Sequence, residues 1–457
     1  MTVSEPAPRG APLSTNQHFL CMFDKGPDQG VFGPRHIVAS GWRITGPVDS
    51  EALRAALGDL VVRHESLRTS IIRDVEPPYQ QVHPPSTPEL TEHELTGAGA
   101  GAEERETAAH EFLNRIEAGR CPSTEQPLIR AALGRFDDQD AVLVLYAHHT
   151  VSDSWSLQIV IRDLAQLYAA RRGAGEADLP EMAQYREYAE WQQEYLTSAP
   201  VAKARAYWRD KLAGAQFASL PTDRTRTDAT GVYSVHRFLI DREITSATQS
   251  VAKQLRSSPF MVLLAAFNLL THEISGATDL TVPTITSGRS NPTFAETVGP
   301  FFNFMPLRTD LSTCRTFREL VTKTRGTCLE MYSYEVPFGE IVAEAPAVVA
   351  PFGDLTQAVQ AFQCFQFPVG AEGAPVGDIR IAELRRRLLS DPDTSDIPDG
   401  VVWALDIDPE GDIVGSVRFN SNDFDAATLE GLVTRYIELL RVAVADMDAP
   451  FGTQLAA

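Results

Sequence analysis

The chain has 457 residues, and its 40 Lys and Arg against 61 Asp and Glu leave a formal charge of −21 with no basic arm to offset it. That balance makes nonspecific attraction to phosphate backbones or anionic lipid a poor default. A composition 43% hydrophobic and 22% charged is that of a folded globular protein rather than a disordered chain, and the length suits two domains, each with its own core.

The longest apolar run, 260–267, ends at Asn268, far short of the roughly 20 residues a membrane-spanning helix needs. The opening MTVSEPAPRGAP places no charged head before an apolar core, so no secretion signal is expected. The five cysteines (Cys21, Cys121, Cys314, Cys328, Cys364) are odd in number and form no CxxC pair. Neither a disulfide framework nor a structural zinc site is expected from them, and a reducing cytoplasm is the compartment they suit.

After a Pro-rich lead, 36–45 (HIVASGWRIT) partly alternates apolar and polar residues and predicts a half-buried strand. GPVDS then supplies a turn and a cap, with Asp49 or Ser50 as the capping side chain. Leu53, Leu57, Leu60 and Val61 follow at helical spacing, and the helix runs into RHESLRTS. The stretch 84–104, rich in Pro, Thr, Gly and Ala, predicts a long surface loop, and a helical pattern resumes over 108–116. The run AVLVLYA at 141–147 is continuous and apolar, as in a strand buried on both faces.

That strand ends at His148. Trp155, Leu157, Val160, Ile161, Leu164 and Tyr168 then recur at helical spacing, which puts HHTVSDS at a strand-to-helix junction. Residues 171–183 (RRGAGEADLPEMA) predict a linker, followed by an exposed aromatic and charged helix (QYREYAEWQQEYL) and by AKARAYWRDKL. Ser257, Ser258 and Pro259 start a helix over FMVLLAAFNLL, since Pro is tolerated in a first turn that lacks partners for its N–H groups. Further strands are predicted at 279–286, 401–407 and 413–419, with a closing helix over 426–446.

HHTVSDS is the one dense constellation of chemical groups. A neutral imidazole at the mouth of a buried strand can accept a proton from an attacking amine or hydroxyl, and an ordinary imidazole pKa near ~6.5 suits that work. Adjacent residues of an extended segment point to opposite sides, so only one of the two histidines can face a given cavity. Asp153 needs a partner if buried, and a guanidinium is the most suitable one. On spacing alone, two satisfied histidines and a helix-capping aspartate explain the same residues equally well. No third metal ligand stands at a defined spacing, and no GxSxG, Walker or GxGxxG motif supports a covalent serine or nucleotide mechanism.

HHTVSDSWS at 148–156 resembles the HHxxxDG motif of nonribosomal peptide synthetase condensation domains, which belong to the chloramphenicol-acetyltransferase-like superfamily. Other motifs of that family follow in the family's order: PLSTNQHFLCMF at 12–23, RHESLRT at 63–69, YREYAEWQ at 185–192 and YWRDKLAG at 207–214. TSGRSNP at 286–292, VGPFFNFMPLR at 298–308, YEVPFGEIV at 334–342 and RFNSNDFD at 418–425 complete the set, so the resemblance spans nearly the whole chain.

The resemblance implies an α/β fold of two acetyltransferase-like lobes, 1–175 and 176–457, set as a V-shaped pseudo-dimer with a channel between them. It implies an acyl or aminoacyl group delivered as a phosphopantetheinyl thioester on a separate carrier protein, and no bound cofactor or metal. By the same carry-over His149 is the catalytic residue, His148 is structural, and Asp153 pairs with Arg289. Ser154, Trp155, Asn303 and Arg68 are assigned to the substrate channel, although a solvated helix-end arginine explains Arg68 equally well. Ser154 stands where the family usually has Gly, which puts substrate size and rate in question.

Adenylation and carrier attachment motifs are absent from the sequence, so a free-standing enzyme is expected. Aspartates replacing the histidine pair, an EGHGR-type segment and DFGWG, which mark heterocyclisation, epimerisation and plant-type acyltransferases, are absent too. Amide formation on an amine and ester formation on an alcohol both stay open, and ester-forming members of enediyne antibiotic pathways are among the enzymes this one resembles. The alternatives are an O-acyltransferase using acyl-CoA or a polyketide thioester, and an inactive partner-recruiting module of which Ser154 is the sign. Because carrier proteins are usually acidic, docking on a chain of charge −21 requires a local basic patch. Arg385, Arg386 and Arg387, and the segment 202–211, are the densest such runs, unless each is simply a solvated helix face.

Overall fold

The computed structural model describes residues 10–95, 101–227, 229–366, 373, 375–408 and 411–451. The predicted strand 141–147 forms as Asp140–His148, at the centre of a six-stranded sheet. Its neighbours are Ile37–Thr45 on one side and Ile129–Asp137 on the other, both antiparallel to it. The side-chain period of 2 explains its composition. Leu143 and Leu145 face Leu57, Leu60, Leu157 and Leu164 of the helices Ser50–Arg63 and Ser154–Arg171. Val142 and Val144 face Phe112 and Leu113 of the helix Ala102–Glu117. Each face carries a helix layer, so every residue of the strand interior is apolar.

The predicted loop 84–104 contains a strand, Leu90–Glu94, which adds to the sheet edge parallel to Ile129–Asp137. Its sequence LTEHE buries only Leu90 and Leu95 beside it, as suits an edge strand with one wet face. The following helix starts at Ala102 rather than near 108. The opposite edge is built by later chain: Ile379–Glu383 pairs with Ile37–Thr45, and Pro375–Val376 pairs with it in turn. A lobe bounded at residue 175 therefore takes two of its strands from beyond that boundary.

The second lobe centres on a five-stranded sheet ordered Ser219–Pro221, Gln357–Phe365, Val401–Ile407, Ile413–Asn420 and Tyr233–Ile240. Its core gathers Phe267 of the helix Pro259–Ser275, Phe362, Trp403 and Tyr436, with Phe267 and Phe362 stacked at 4.6 Å. Ser258 caps that helix and Pro259 occupies its first turn, as expected. A two-stranded ribbon, Asp279–Thr286 with Asn303–Asp310, leans on this sheet through Thr284 Oγ1, which donates to the Phe362 carbonyl at 2.8 Å. Among the described residues no helix is long and apolar enough to cross a membrane.

The helix Tyr185–Tyr195 is not simply exposed. Tyr185 and Tyr188 are buried against Phe294 and Phe301. The three-residue spacing puts both rings on one helix face, which the loop of the second lobe covers.

Candidate active site

Both lobes contribute to a cavity of about 310 Å³ at the end of the strand Asp140–His148. The first lobe supplies His36, His149 and Trp155, and the second supplies Phe302, Cys364 and Arg418. His148 is wholly buried beneath it, and both of its ring nitrogens are occupied. Nε2 lies 3.1 Å from the Gly33 carbonyl, to which it can only donate, and Nδ1 accepts from the Thr150 amide at 3.2 Å. The Thr150 hydroxyl lies 2.7 Å from the same Nδ1. Burial pushes the His148 pKa down to about 4, so the ring is neutral and held in one tautomer.

His149 points the other way, into the cavity. Its amide donates to the His36 carbonyl at 2.8 Å, and its ring stacks on His36 at 5.0 Å and meets Phe302 edge-on at 5.4 Å. Nδ1 is sealed from solvent and makes no hydrogen bond of good geometry among the described residues, although the backbone of His149 and Ser152 lies near enough to the ring to favour a proton on it. Nε2 is then the nitrogen that the cavity reaches. Burial lowers the His149 pKa, against the opposing pull of the Asp153 carboxylate, so the ring is a neutral base at pH 7.

His36 is a site residue that spacing along the chain does not reveal. It arrives through antiparallel pairing, in which Ile37 stands opposite His148. Its Nδ1 lies 3.2 Å from the Asp396 carbonyl, so Nδ1 carries the proton, and burial followed by the neighbouring His149 and His148 holds its pKa well below the usual value. A neutral ring against His149 restricts that ring's orientation without adding a competing charge.

Asp153 joins the lobes at the cavity wall. One carboxylate oxygen caps the helix Ser154–Arg171 by accepting from the Ser156 amide at 2.7 Å, and the other accepts from the Phe301 amide of the second lobe at 2.9 Å. Arg289 stands farther off, with Nη2 3.5 Å from Asp153 and 2.9 Å from Ser156 Oγ. Its Nη1 donates to the carbonyls of Phe294 at 3.1 Å and Thr297 at 2.6 Å, and its guanidinium lies 4.0 Å over the Phe301 ring. Burial lowers the Arg289 pKa and the Asp153 charge opposes that shift. Ser156 Oγ completes the joint, donating to the Gly299 carbonyl at 2.9 Å and accepting from its amide at 3.1 Å. Gly288 has φ +63°, and a Cβ there would lie 1.8 Å from the Phe301 carbonyl, so only Gly lets the TSGRS turn approach this loop.

The profile of the family described as "Condensation domain" matches residues 35–455. The chain belongs to the condensation-domain family. It is 32% identical to phosphinothricin tripeptide synthetase PhsC of Streptomyces viridochromogenes over 98% of its own length and 40% of the relative's. To chondramide synthase cmdD of Chondromyces crocatus it is 30% identical over 90% of its length and 10% of the relative's, so it spans less than half of either synthetase. Among solved structures, the SgcC5 protein from Streptomyces globisporus, in complex with (R)-(-)-1-(2-naphthyl)-1,2-ethanediol and sucrose, superposes with a TM-score of 0.93 at 42% identity. That match covers 96% of this chain and 100% of SgcC5. The first condensation domain of the calcium-dependent antibiotic synthetase shares the fold at 20% identity, TM-score 0.79, over 97% of this chain and 98% of that one. The two lobes described above are thus the acetyltransferase-like lobes of a condensation domain, and the chain is an enzyme of the acyltransferase type.

Within this condensation domain the remaining expected site residues separate. Ser154 and Trp155 line the cavity. Ser154 is the first residue of its helix and is not among the positive-φ residues, so its backbone does not require Gly. Together with Ala39 it forms the wall shared by the cavity and a second recess of about 160 Å³ that contains Gln158 and Glu383. Arg68 does not reach the cavity. Its guanidinium donates to the carbonyls of Val61 at 3.1 Å and His83 at 2.5 Å, tying a helix end to a strand. Asn303 does not line the cavity either, and instead lines a separate recess with Arg289 and Glu335. It accepts from the Phe338 amide at 3.0 Å and donates to the Val336 carbonyl at 3.0 Å, which fastens the YEVPFGEIV segment to its strand.

The arginine run is neither a solvated helix face nor a free basic patch. Arg385 pairs with Asp412 at 2.9 Å and Asp406 at 3.0 Å, and Arg387 pairs with the buried Glu117 at 2.7 Å. Arg386 alone is mostly exposed, 3.3 Å from Asp412. Within 202–211, Arg205 and Arg209 pair with Glu340 and Glu344 across the lobe surface, at 2.5 and 2.7 Å. Among the described residues no group of three or more His, Cys, Asp or Glu side chains is arranged to hold a metal ion.

Proposed function

We propose that this condensation domain transfers an acyl or aminoacyl group from a phosphopantetheinyl thioester, carried by a separate carrier protein, to an alcohol or amine. The observation that carries the reading is the His149 ring. Nδ1 is sealed and Nε2 opens on a cavity walled by both lobes.

In that reading the acceptor O–H or N–H lies against Nε2, which takes its proton as the oxygen or nitrogen adds to the thioester carbonyl. The tetrahedral intermediate then collapses, the C–S bond breaks, and the leaving thiolate takes the proton back from the imidazolium. The amide from the Gly288 to Phe302 region is held to Asp153, and Phe302 packs against the imidazole, so the second lobe positions the base that the first lobe supplies. The aromatic 1,2-diol in the SgcC5 complex makes an alcohol the first acceptor to test. An active enzyme is favoured over a recruiting module because Ser154 sits in ordinary helical backbone and leaves His149 and Asp153 in place.

The test is incubation with an acylated carrier protein and paired alcohol and amine acceptors, followed by mass spectrometry of the product. His149→Ala is expected to lower kcat by about 10²- to 10⁴-fold. An alanine variant as fast as the parent, or no product with any thioester, would overturn the reading.

A further inference from the structure

Four charged side chains that the acyl-transfer chemistry does not use meet beside the cavity. Glu117, the last residue of the helix Ala102–Glu117, is 2% exposed, and it accepts from Arg237 at 2.8 Å, Arg387 at 2.7 Å and Arg418 at 2.6 Å. Arg237 also donates to the Leu389 carbonyl at 2.7 Å, and Arg387 to Asn114 Oδ1 at 2.7 Å. Three guanidiniums thus share one carboxylate. Burial raises the Glu117 pKa, but the three guanidiniums more than reverse it and hold the group well below the usual carboxylate range. Burial, with repulsion from Arg387, brings Arg237 down to about 9.

A staple between lobes needs one carboxylate and a single guanidinium. Each further guanidinium adds repulsion and a desolvation cost of its own. Arg418 is the member that lines the cavity with His149. Its side chain is 30% exposed, its one hydrogen bond among the described residues is the one to Glu117, and its Nε is buried without a partner. Its charge reaches His149, where it opposes protonation. The carboxylates on the cavity wall are engaged elsewhere: Asp153 by the two amides and Arg289, and Asp396 by Arg35 at 3.2 Å.

We propose that Arg418 is a specificity-determining residue that binds a carboxylate on the substrate, an inference that rests on the acyl-transfer reading of the same cavity. A carboxyl group held as a thioester carries no charge. The carboxylate therefore belongs either to an acceptor that is not carrier-bound or to a second acid group on the acyl chain.

Phenylacetate and phenylacetamide, probes of nearly one shape, separate charge from fit when titrated calorimetrically. The parent protein is expected to bind phenylacetate about tenfold more tightly, the discrimination of a charge-assisted hydrogen bond worth about 1.4 kcal/mol. Arg418→Gln is expected to abolish that preference while leaving phenylacetamide affinity within about twofold. Val402→Glu tests the same point without removing the arginine, because Val402 stands opposite Arg418 in the sheet and also lines the cavity. Its new carboxylate is expected to occupy Arg418 and abolish the preference. Arg386→Gln, an exposed site outside the cavity, is expected to leave it unchanged. Equal binding of both probes by the parent, or a preference that survives both cavity variants, would overturn the proposal, and neither result depends on turnover. In the condensation assay, Arg418→Gln is expected to raise KM about tenfold only for the substrate that bears the carboxylate. Acceptor pairs and acyl-donor pairs with and without the acid group identify which substrate that is, and a KM unchanged for all of them also counts against it.

Discussion

Replacing Asp153 by alanine separates two accounts of the motif that carries it. If the side chain serves chiefly as the counter-charge of Arg289, its loss leaves a buried cation unpaired at a cost of roughly 3 to 5 kcal/mol. The geometry argues otherwise. Asp153 accepts from the Ser156 and Phe301 amides at 2.7 and 2.9 Å, whereas Arg289 stands at 3.5 Å. Arg289 also keeps three other acceptors: the carbonyls of Phe294 and Thr297 and the Ser156 hydroxyl. Alanine then costs a helix cap, about 1 kcal/mol, and strands the buried Phe301 N–H, about 1 to 3 kcal/mol. The sum is about 2 to 4 kcal/mol, close enough to the ion-pair figure that the single variant does not decide. A double-mutant cycle in denaturant, combining Asp153→Ala with Arg289→Met, does. We expect a coupling energy below about 1 kcal/mol. Asp153→Asn is expected to recover part of the loss, since its one carbonyl oxygen can still cap Ser156. A coupling near 3 kcal/mol, with Asn as damaging as Ala, would refute the account.

Two further outcomes follow from the same geometry. His148 has a folded pKa of about 4, below its unfolded value of roughly 6.5, so the stability it confers is complete above about pH 6.5 and is lost as pH falls towards 4. From pH 7.5 to pH 5 this group alone is expected to remove about 2 kcal/mol of unfolding free energy, and urea titrations of His148→Gln should show a correspondingly shallower decline. Ser154→Gly is expected to change stability by no more than about 1 kcal/mol, the helix cost of Gly, while opening the wall between the main cavity and the recess by Glu383. The readout is KM for a series of acceptors of increasing bulk, which should fall for the largest; an unchanged series would mean that Ser154 does not limit the space.

The sequence made plain what depends on local period and on motif order. The run 141–147 is apolar throughout because both faces of its strand are covered, and the helix after HHTVSDS shows its buried stripe directly. What stayed hidden depends on tertiary neighbours. Leu90–Glu94 is short, polar on its wet face and flanked by Pro, so its alternation was lost in loop-like composition. The arginines at 385–387 read as surface charge because their carboxylate partners, Glu117, Asp406 and Asp412, come from elements distant in the chain. His36 precedes an ordinary-looking strand, and only the pairing of Ile37 with His148 brings its ring over His149. Arg68 and Asn303 lie within recognisable motifs, yet their side chains serve the backbone rather than the cavity. Motif membership located the elements correctly and left the orientation of each side chain to packing.

The joint at Asp153 and the cluster at Glu117 bear on one quantity, the spacing of the lobes around His149. Asp153 starts the helix that carries Ser154 and Trp155, and it holds the amide next to Phe302 in the other lobe. Glu117 ends a helix of the first lobe and binds Arg237 and Arg418 on strands of the second. The strand Ile379–Glu383 completes the bridge by joining the first lobe's sheet from the second lobe's stretch of chain. Separating the lobes would thus break the Phe301 amide bond to Asp153 together with the Arg237 and Arg418 pairs of Glu117. A cavity walled by both lobes keeps its shape through these contacts, and a substrate that enters it meets a base whose orientation is already set.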